Sequence, residues 1–305
     1  MSTISVLTYN ILSQNLAEQM INEIKDEKKV YDISFMNDEY RWSKISSIIE
    51  HKINESVSET SRQIQQNQEA SRQKETDHLI FCLQEVTENW VSKFAQLFAK
   101  HNYTYINVQH GRVFNGNMGV MVAWPNILTL TKSEFYTVGQ HIILSDENSK
   151  LAASKTNTAI LLLLEQPNKI NGLKFGIVTY HMPLEPKIPH ISMSHAKVLM
   201  KKINKFMENN IWFYGGDFNI TPDSRTYLYL LTMANCIWHN IDKYPITNHA
   251  FIRGFEFSGC LDYIFYSKND KIKQLNVEYE NIITIIPNNK HPSDHIPIYA
   301  KFKII

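Results

Sequence analysis

The stretch Trp212-Phe213-Tyr214-Gly215-Gly216-Asp217-Phe218-Asn219 decides the fold, because an apolar strand pattern runs through two glycines into a carboxylate, an aromatic ring and a carboxamide. Alternate residues of a strand point to the same face, so we expect Asp217 and Asn219 to project together while Phe218 packs behind them. A strand that ends in an Asp-Phe-Asn turn is the alternative, since Asp and Asn also favour turns. Four other strand patterns end in polar residues too, which favours a site at the strand ends.

Those other strand patterns lie along the whole chain. Residues 4–12, 79–86, 174–181 and 257–266 read as strands, and a turn precedes a closing strand over residues 296–302. A carboxylate such as Glu85 costs several kcal/mol to bury in an apolar strand unless it is paired or binds a cation. An Asn such as Asn10 also caps turns, and a His such as His181 is more often a satisfied hydrogen-bonding residue than a catalyst. The polar residues of these patterns are Asn10, Glu85, His181, Asp262, Asp294 and His295.

Helical patterns separate the strands. Residues 38–53 carry an apolar stripe at helical spacing, formed by Trp42, Ile45, Ile48, Ile49 and Ile53, which is typical of core packing. The following segment, about 54–78, is polar and predicts either a solvated extension of the helix or a mobile insertion. We predict a single catalytic domain over residues 1–305. Its fold class is α/β (α+β): a four-layer sandwich of two mixed, mainly antiparallel β-sheets packed face to face, with helices outside.

Composition sets limits on the class of protein. The chain has 305 residues, 43% of them hydrophobic, and its 31 basic and 30 acidic residues give a net charge of +1. No overall field favours nucleic acid, although a local groove and a metal still permit it. The three cysteines lack metal-site spacing and predict reduced thiols in the core. No secretory signal or membrane span is visible, so we expect a soluble intracellular protein without membrane contact.

The polar residues at the strand ends also predict the chemistry. Several carboxylates that converge without cysteine select a hard cation with oxygen ligands, which favours Mg2+, or Mn2+, over zinc. Two histidines and two asparagines beside such a metal are suited to phosphodiester hydrolysis, because the negative charge must be neutralised while a water is oriented in line.

The ordered motifs resemble the endonuclease/exonuclease/phosphatase superfamily across nearly the whole chain. The series is T-Y-N-I-L at 8–12, L-Q-E-V at 83–86, T-Y-H at 179–181, G-G-D-F-N at 215–219, L-D-Y-I-F-Y at 261–266 and P-S-D-H at 292–295. The longer runs around residues 9–16, 216–224 and 257–267 resemble the cytoplasmic deadenylase branch, which includes the Angel and nocturnin proteins. The resemblance implies that Glu85 is the main Mg2+ ligand, with Asn10 and Asp294 beside it or at a second metal.

The same resemblance implies catalytic roles. Asp217 and Asn219 would orient the attacking water and the scissile phosphate. His295, held by Asp262, would be the general acid/base or a phosphate contact, and His181 would be a further phosphate contact. A carboxylate bonded to one imidazole nitrogen fixes the tautomer and leaves the other nitrogen for the phosphate, which agrees with these roles.

The resemblance also implies an adenine clamp between Pro186 and Phe257, for which loop rigidity and core packing are the alternatives. The function it implies is a Mg2+-dependent phosphodiesterase that hydrolyses single-stranded RNA from the 3′ end, with poly(A) favoured, acting as a cytoplasmic monomer. Other substrates remain open: 2′,3′-cyclic phosphate RNA ends, DNA, a nucleotide cofactor, or an inositol or sphingolipid head group. A lipid substrate predicts an exposed apolar loop, and the sequence shows no convincing one. A catalytically inactive scaffold is disfavoured by the intact set of polar residues.

Overall fold

The computed structural model describes residues 2–68, 76–167, 172–238 and 243–305. Its strands are β1 Ser2–Asn10, β2 Ile24–Lys25, β3 Lys28–Lys29, β4 Thr76–Val86, β5 Tyr103–Gln109, β6 Gly119–Pro125, β7 Thr129–Thr137, β8 Thr158–Glu165, β9 Lys174–His181, β10 Ile211–Asp217, β11 Asn235–Cys236, β12 Asn248–Ile252, β13 Phe255–Gly259, β14 Asp262–Tyr266, β15 Ile272–Glu278 and β16 Ile298–Ile304. Its α-helices are α1 Gln14–Met20, α2 Ile33–Met36, α3 Asp38–Gln68, α4 Glu88–Lys100, α5 Glu147–Ala153, α6 Pro189–Met207 and α7 Arg225–Met233. Short 3-10 turns cover Val113–Asn115 and Val138–His141.

The two large sheets are built on the same plan. One has the strand order β15-β16-β1-β4-β6-β5 and the other has the order β11-β14-β10-β9-β8-β7. In each sheet a central parallel pair, β1 with β4 or β10 with β9, is flanked by antiparallel strands on both sides. The predicted pair of mixed, mainly antiparallel sheets is therefore confirmed.

Alternation within the strands separates two layers of core. In β1, Ile4 and Val6 belong to the large core between the sheets, whereas Leu7 and Tyr9 face the outer helices α3 and α4. Strands that are buried on both faces need such near-continuous apolar sequence. On the other side, α6 and α7 pack their buried faces against the second sheet. The helices thus form the two outer layers of a four-layer sandwich.

Gly215 brings the two sheets together just below the strand ends. A Cβ at this position would lie 3.2 Å from Thr8 Cβ and 3.3 Å from Cys82 Cβ, so a larger residue would push the sheets apart. The Gln84 side chain crosses the same interface. Its amide nitrogen, Nε2, donates to Thr8 Oγ1 at 3.2 Å and to Thr179 Oγ1 at 3.0 Å. These contacts fix the register of one sheet against the other, because a buried amide must keep its partners.

Several predictions change in detail. The expected strand over residues 257–266 is wrong, because the chain divides there into β13 and β14, which lie in different sheets. Helix α3 continues to Gln68, and of the polar segment about 54–78, residues 69–75 lie outside the described residues. The three cysteines are buried and unbridged, as expected for core residues. In the described ranges, no helix is long and apolar enough to cross a membrane.

Candidate active site

Seven polar residues that the sequence predicts as site residues meet at one rim of the sandwich, and we call this candidate site the catalytic centre. The two parallel pairs end at this rim, where β1, β4, β9 and β10 place Asn10, Glu85, His181 and Asp217. The antiparallel neighbours β14 and β16 begin there, and Asp262, Asp294 and His295 lie at or just before their first residues. The strand order therefore explains why residues far apart in sequence converge.

Glu85 is turned toward the centre by a β-bulge. Gln84 pairs with Val120 and Val86 pairs with Gly119, so Glu85 has no partner on the neighbouring strand, and its φ of 62° is left-handed. A bulge re-aims a side chain, and a non-glycine residue in this conformation costs about 1–2 kcal/mol. Strain of this kind collects at functional sites. The Glu85 side chain, which is buried, accepts at Oε2 from the backbone N–H of Ser13 at 2.8 Å.

Asn10 links the two sheets across the centre. Its Nδ2 donates to Glu85 Oε1 and to Asp217 Oδ2, both at 3.0 Å, and lies 3.5 Å from His295 Nε2. Its Oδ1 accepts from the backbone N–H of Leu12 at 3.0 Å. One carboxamide thus spaces two carboxylates that would otherwise repel each other.

Asp217 lies at the middle of the catalytic centre. Besides Asn10, its Oδ2 lies 3.4 Å from His181 Nε2 and 3.6 Å from His295 Nε2, and its Oδ1 accepts from the backbone N–H of Asn219 at 2.9 Å. The carboxylate is almost completely buried. Buried charge needs such a ring of donors, so the orientation of Asp217 is fixed by its surroundings.

Asp262 and His295 form a buried pair, with His295 Nδ1 2.8 Å from Asp262 Oδ2. Burial opposes the charged form of the imidazole, but Asp262, Asp217 and Asp294 hold the pKa of His295 well above its usual value. Burial raises the pKa of Asp262, and the nearby His295 opposes that shift. Thr247 Oγ1 accepts from the backbone N–H of Asp262 at 3.1 Å. The pair leaves His295 Nε2 directed at the middle of the centre.

Asp294 is a buried carboxylate with weak support. Its Oδ2 lies 3.4 Å from Asn248 Nδ2 and its Oδ1 lies 3.4 Å from Ser293 Oγ, both at the long limit of a hydrogen bond. Burial is the main reason that the pKa of Asp294 rises to about 6; His295 opposes the rise, and the carboxylates of Glu85 and Asp217 add to it. Desolvated carboxylates of this kind favour a cation nearby.

The donor set fits a hard divalent cation. The centre offers several carboxylate oxygens without a cysteine, which is the ligand chemistry of Mg2+ and Mn2+. Asn10 presents Nδ2 to the centre, so its Oδ1 would reach a cation only after the amide rotates. In the described part of the chain, Asp217, Asp262 and His295 form a group of three whose ligand atoms all lie within 4.8 Å of one another. Asp262 and His295 already bond to each other, so we keep Glu85, Asn10 and Asp294 as the predicted ligand set.

The structure changes the expectation for Asn219. Strand β10 ends at Asp217, and Asn219 has a left-handed φ of 49°, so the argument from strand alternation is wrong for this pair. Its Nδ2 instead donates to the backbone carbonyl of Met182 at 2.8 Å, which ties the two strand exits together. Its role toward water and phosphate stays a prediction.

The two predicted clamp residues lie at the surface. Pro186 is exposed in the loop after β9, and Phe257 is 41% exposed on the β12–β13 hairpin, so the alternative that Phe257 is a core residue is wrong. In the ladder, Ala250 opposes Phe257, and alternation places Asn248 on the same face. Asn248 contacts Asp294, so this face of the hairpin is directed toward the catalytic centre.

Sequence reasoning missed Arg41. The side chain is fully buried at the start of α3, where Nη2 donates to Ile11 O at 2.6 Å and Nε donates to Pro292 O at 2.7 Å. Burial lowers the pKa of Arg41 to about 10, so it remains charged at neutral pH. Arg41 therefore connects the loops that follow Asn10 and precede Asp294. An arginine in a helical pattern reads as solvent-facing, which is why no signal identified it.

His110 was missed as well. It follows β5, and its ring centre lies 6.4 Å from that of His181 in an edge-on arrangement. Both of its ring nitrogens are buried and have no hydrogen-bond partner within the described part of the chain. Burial first, and His181 second, lower the pKa of His110 to about 3, so the imidazole is neutral. The position after a strand was its only sequence signal.

Comparison with known proteins identifies the family. The family model described as Endonuclease/Exonuclease/phosphatase family matches residues 7–295, a range that includes the whole catalytic centre. The chain belongs to this family. Members of the Endonuclease/Exonuclease/phosphatase family are hydrolases that generally use a divalent metal ion, in agreement with the oxygen-rich donor set.

Relatives in this family are distant in sequence. Carbon catabolite repressor protein 4 homolog 4 of Arabidopsis thaliana is 26% identical over 155 residues, which cover 42% of this chain and 37% of that protein. The CCR4-Not complex 3′-5′-exoribonuclease subunit Ccr4 of Schizosaccharomyces pombe is 24% identical over 294 residues, covering 74% and 42%. The chain spans about half the length, or less, of the curated relatives it matches.

Solved structures share the fold. ANGEL2, described as a 2′,3′-cyclic phosphatase in complex with adenosine-2′,3′-vanadate, gives a TM-score of 0.73 at 18% identity, covering 99% of this chain and 96% of that one. The human nocturnin catalytic domain with bound sulfate gives a TM-score of 0.66 at 18% identity, covering 99% and 94%. The resemblance to the deadenylase, Angel and nocturnin branch is thereby confirmed, and the structural likeness itself concerns the fold.

Proposed function

We propose that the protein is a Mg2+-dependent phosphodiesterase that hydrolyses single-stranded RNA from the 3′ end, with poly(A) as the favoured substrate. The observation that carries the proposal is the contact of Asp217 Oδ2 with three nitrogens from three different strand ends, beside the bulged Glu85. Such an arrangement concentrates carboxylates and N–H donors at one point, where an anionic phosphate and a water must be oriented together.

Each residue of the centre has a part in this chemistry. Glu85, with Asn10 and Asp294, would hold the metal, which neutralises phosphate charge when bound. Asp217 orients the attacking water and accepts its proton, because its second oxygen is fixed by the backbone of Asn219. Nothing else in the centre offers a carboxylate so evenly surrounded by donors among the described residues.

The two histidines serve the phosphate. Asp262 holds His295 Nδ1, so that the charged imidazole presents Nε2 to the developing negative charge. His181 presents Nε2 from the opposite sheet, 3.4 Å from Asp217 Oδ2 and 4.0 Å from Glu85 Oε1. Donors that are fixed before the reaction stabilise the transition state without further reorganisation.

The preference for adenine-rich RNA rests on recognition outside the centre. Phe257 offers an exposed ring on the hairpin face directed toward Asp294, and aromatic faces stack on bases. Pro186 offers the second ring of the clamp. The name of the S. pombe relative, a 3′-5′-exoribonuclease subunit, supports the polarity and the substrate class.

A substrate panel tests the proposal. Purified protein with Mg2+ is assayed on 3′-end-labelled and 5′-end-labelled poly(A), mixed-sequence RNA, RNA with a 2′,3′-cyclic phosphate, single-stranded DNA and a nicotinamide dinucleotide phosphate. We expect fastest loss of 3′-terminal nucleotides from poly(A), with Glu85→Gln inactive on every substrate. Faster turnover of any other member, with poly(A) at the level of the Glu85→Gln variant, would overturn the proposal.

One observation favours a second candidate, a lipid head group. Val113 and Phe114 are 82% and 62% exposed in the 3-10 turn between β5 and β6, so the expectation that no exposed apolar loop exists is wrong. The turn follows His110 and precedes Gly119, which pairs beside the bulge of Glu85. The turn therefore lies on the catalytic rim. Vesicles that contain phosphoinositide or sphingomyelin belong in the same panel, and turnover of these lipids above that of poly(A) would favour this candidate.

We also propose that the protein acts as a cytoplasmic monomer. Buried, unbridged cysteines support a reducing compartment. Light scattering of the purified chain measures the mass directly, and a dimer would contradict the proposal.

A further inference from the structure

An open groove runs beside the catalytic centre, on the side of the Phe257 hairpin. Its volume is about 460 Å³, and its walls are three segments that include Pro222, Tyr244, Pro245 and Gly259. A volume of this order accommodates a small ligand or one nucleoside unit. We call this feature the second groove. It is separate from the seven residues of the catalytic centre, none of which lines it.

The second groove is continuous with the elements that carry the chemistry. One wall, Thr221 to Asp223, begins two residues after Asn219, and the floor, Gly259 to Cys260, ends two residues before Asp262. The third wall precedes Thr247, whose hydroxyl accepts from the backbone N–H of Asp262. A ligand in the groove therefore lies against the same backbone that positions the catalytic pair.

Phe257 connects the second groove to the predicted clamp. A Cβ on Gly259 would lie 2.9 Å from the Cζ atom of Phe257, so the Phe257 ring lies over the glycine that forms the groove floor. A base stacked on Phe257 would be a direct neighbour of whatever fills the groove. Successive bases of a single strand stack on neighbouring aromatic faces in this way.

Tyr244 provides the aromatic wall of the groove. The ring is 38% exposed and packs at right angles to Tyr227, with the ring centres 5.9 Å apart and the planes at 89°. Tyr227 is itself buried against Tyr263 of β14. A partly exposed ring that a second ring holds in place suits base stacking, because little side-chain entropy is lost on binding.

Charges around the groove indicate which part of a nucleotide enters it. Asp223 lies in the wall and accepts from the Thr221 hydroxyl, and a carboxylate there repels phosphate. A carboxylate also accepts from the exocyclic amine of adenine or cytosine. Exposed Arg225 and Lys243 lie within two residues of the lining, in positions suited to the backbone phosphates. The base therefore enters, while the phosphates stay at the rim.

We propose that the second groove binds the base of the nucleotide next to the one held by Phe257, and that Tyr244 stacks on it. The inference rests on the proposed function in one respect, namely that the ligand is a single strand of RNA. It adds a subsite that reads the strand beyond its terminal nucleotide and that prefers bases with an exocyclic amine.

The test is binding of a fluorescein-labelled oligoadenylate of about eight nucleotides, within the usual site sizes of single-strand binders, by fluorescence anisotropy in EDTA. Tyr244→Ala should raise the Kd at least about tenfold, a change of about 1.4 kcal/mol, and Tyr244→Phe should restore binding to within about threefold. Tyr279→Ala is the matched control, because Tyr279 is 39% exposed and packs edge-on against Trp238 at 5.2 Å without lining the groove. Equal Kd values for Tyr244→Ala and Tyr279→Ala would overturn the inference.

A second variant tests which part of the nucleotide enters. Asp223→Asn should strengthen binding of oligouridylate more than binding of oligoadenylate, so that the gap between the two Kd values narrows. An equal gain in affinity for oligouridylate and oligoadenylate would mean that phosphates occupy the groove, which would contradict the inference.

The hydrolysis panel separates this inference from the proposed function. Oligoadenylate binding that depends on Tyr244, in a protein that does not hydrolyse RNA, would retain the groove and remove the proposed function. Hydrolysis of poly(A), together with oligoadenylate binding that does not depend on Tyr244, would retain the proposed function and remove the base subsite in the second groove. Absence of both strand binding and hydrolysis would remove both.

Discussion

The catalytic centre and the recognition surface differ in how the fold holds them, although Asp262 and Phe257 are only five residues apart in sequence. Asp262 is fully buried and bonded to His295, whereas Phe257 is 41% exposed on a two-stranded hairpin. The centre is fixed by contacts between strands distant in sequence, as between Asn10 and Asp217. Chemistry needs donors that are oriented in advance, while stacking needs only an accessible ring. Damage to the centre should therefore remove turnover, and damage to the recognition surface should weaken affinity.

The strongest test of this comparison is Glu85→Gln. The substitution keeps the shape of the side chain but removes the charge that a divalent cation requires, so turnover should fall by about 1000-fold or more. Thermal melting should change far less than turnover: the amide oxygen can still accept from Ser13 N–H, and only the hydrogen bond from Asn10 Nδ2 is lost. Turnover at saturating Mg2+ and the melting temperature are the measurements. Glu88→Gln, an exposed neighbour at the start of α4, is the matched control, and near-normal turnover of Glu85→Gln would remove Glu85 from the metal site.

Arg41→Met tests whether the catalytic centre depends on Arg41, a buried residue that is not part of it. The change leaves the buried carbonyls of Ile11 and Pro292 without their donor, so the free energy of unfolding should fall by about 3 kcal/mol. Turnover of the folded fraction should fall too, because these carbonyls lie in the loops beside Asn10 and Asp294. Urea unfolding measures the stability, and Arg112→Met, at an exposed position, is the control. If Arg41→Met lowered the free energy of unfolding no more than Arg112→Met does, the catalytic centre would not depend on Arg41.

The Asp262 and His295 pair provides a test within the centre. Asp262→Asn and His295→Ala should each lower kcat by roughly 100-fold, the scale of losing one donor that stabilises the transition state. The double variant should be hardly worse than either single one, because residues that act as a unit are not additive. Single-turnover rates of the three variants give the comparison. Losses that multiply would mean that the two residues work separately.

Phe257→Ala should produce the smallest effect, and one of a different kind. Loss of a stacked base costs about 1–3 kcal/mol, or roughly 5- to 150-fold in affinity for poly(A). The preference for poly(A) over poly(U) should narrow, because purines stack better than pyrimidines. Phe255→Ala is the matched control, since Phe255 lies on the same hairpin face two residues away and is more exposed.

The readouts are binding to both strands, hydrolysis of a small phosphodiester and thermal melting. The rate of hydrolysis of the small ester and the melting temperature should both stay unchanged, because Phe257 is not a core residue. A large drop in melting temperature with equal losses on all substrates would contradict the clamp and, with it, the difference between the two regions.

The fold was predictable because its signals are local. The alternation in residues 4–12 and 174–181 and the apolar stripe in residues 38–53 are repeated patterns, and they correctly predict β1, β9 and α3. The ends are less exact, since β1 ends at Asn10 and α3 continues to Gln68. The prediction failed at residues 257–266, where a single strand pattern is divided between β13 and β14. Gly259 at the end of β13 is a local sign of this break, but both halves satisfy strand propensity and only the structure shows that their pairing partners differ.

The sequence by itself determined the sandwich, the inventory of carboxylates, imidazoles and carboxamides, and the preference for a hard cation, because residue type and periodicity fix these. Only the tertiary structure decided how the inventory is used. The bulge at Glu85, the left-handed Asn219 and the buried Arg41 arise from contacts between distant segments. Side-chain direction at a bulge or after a strand depends on which strand lies opposite, and that information is absent from any local stretch of sequence.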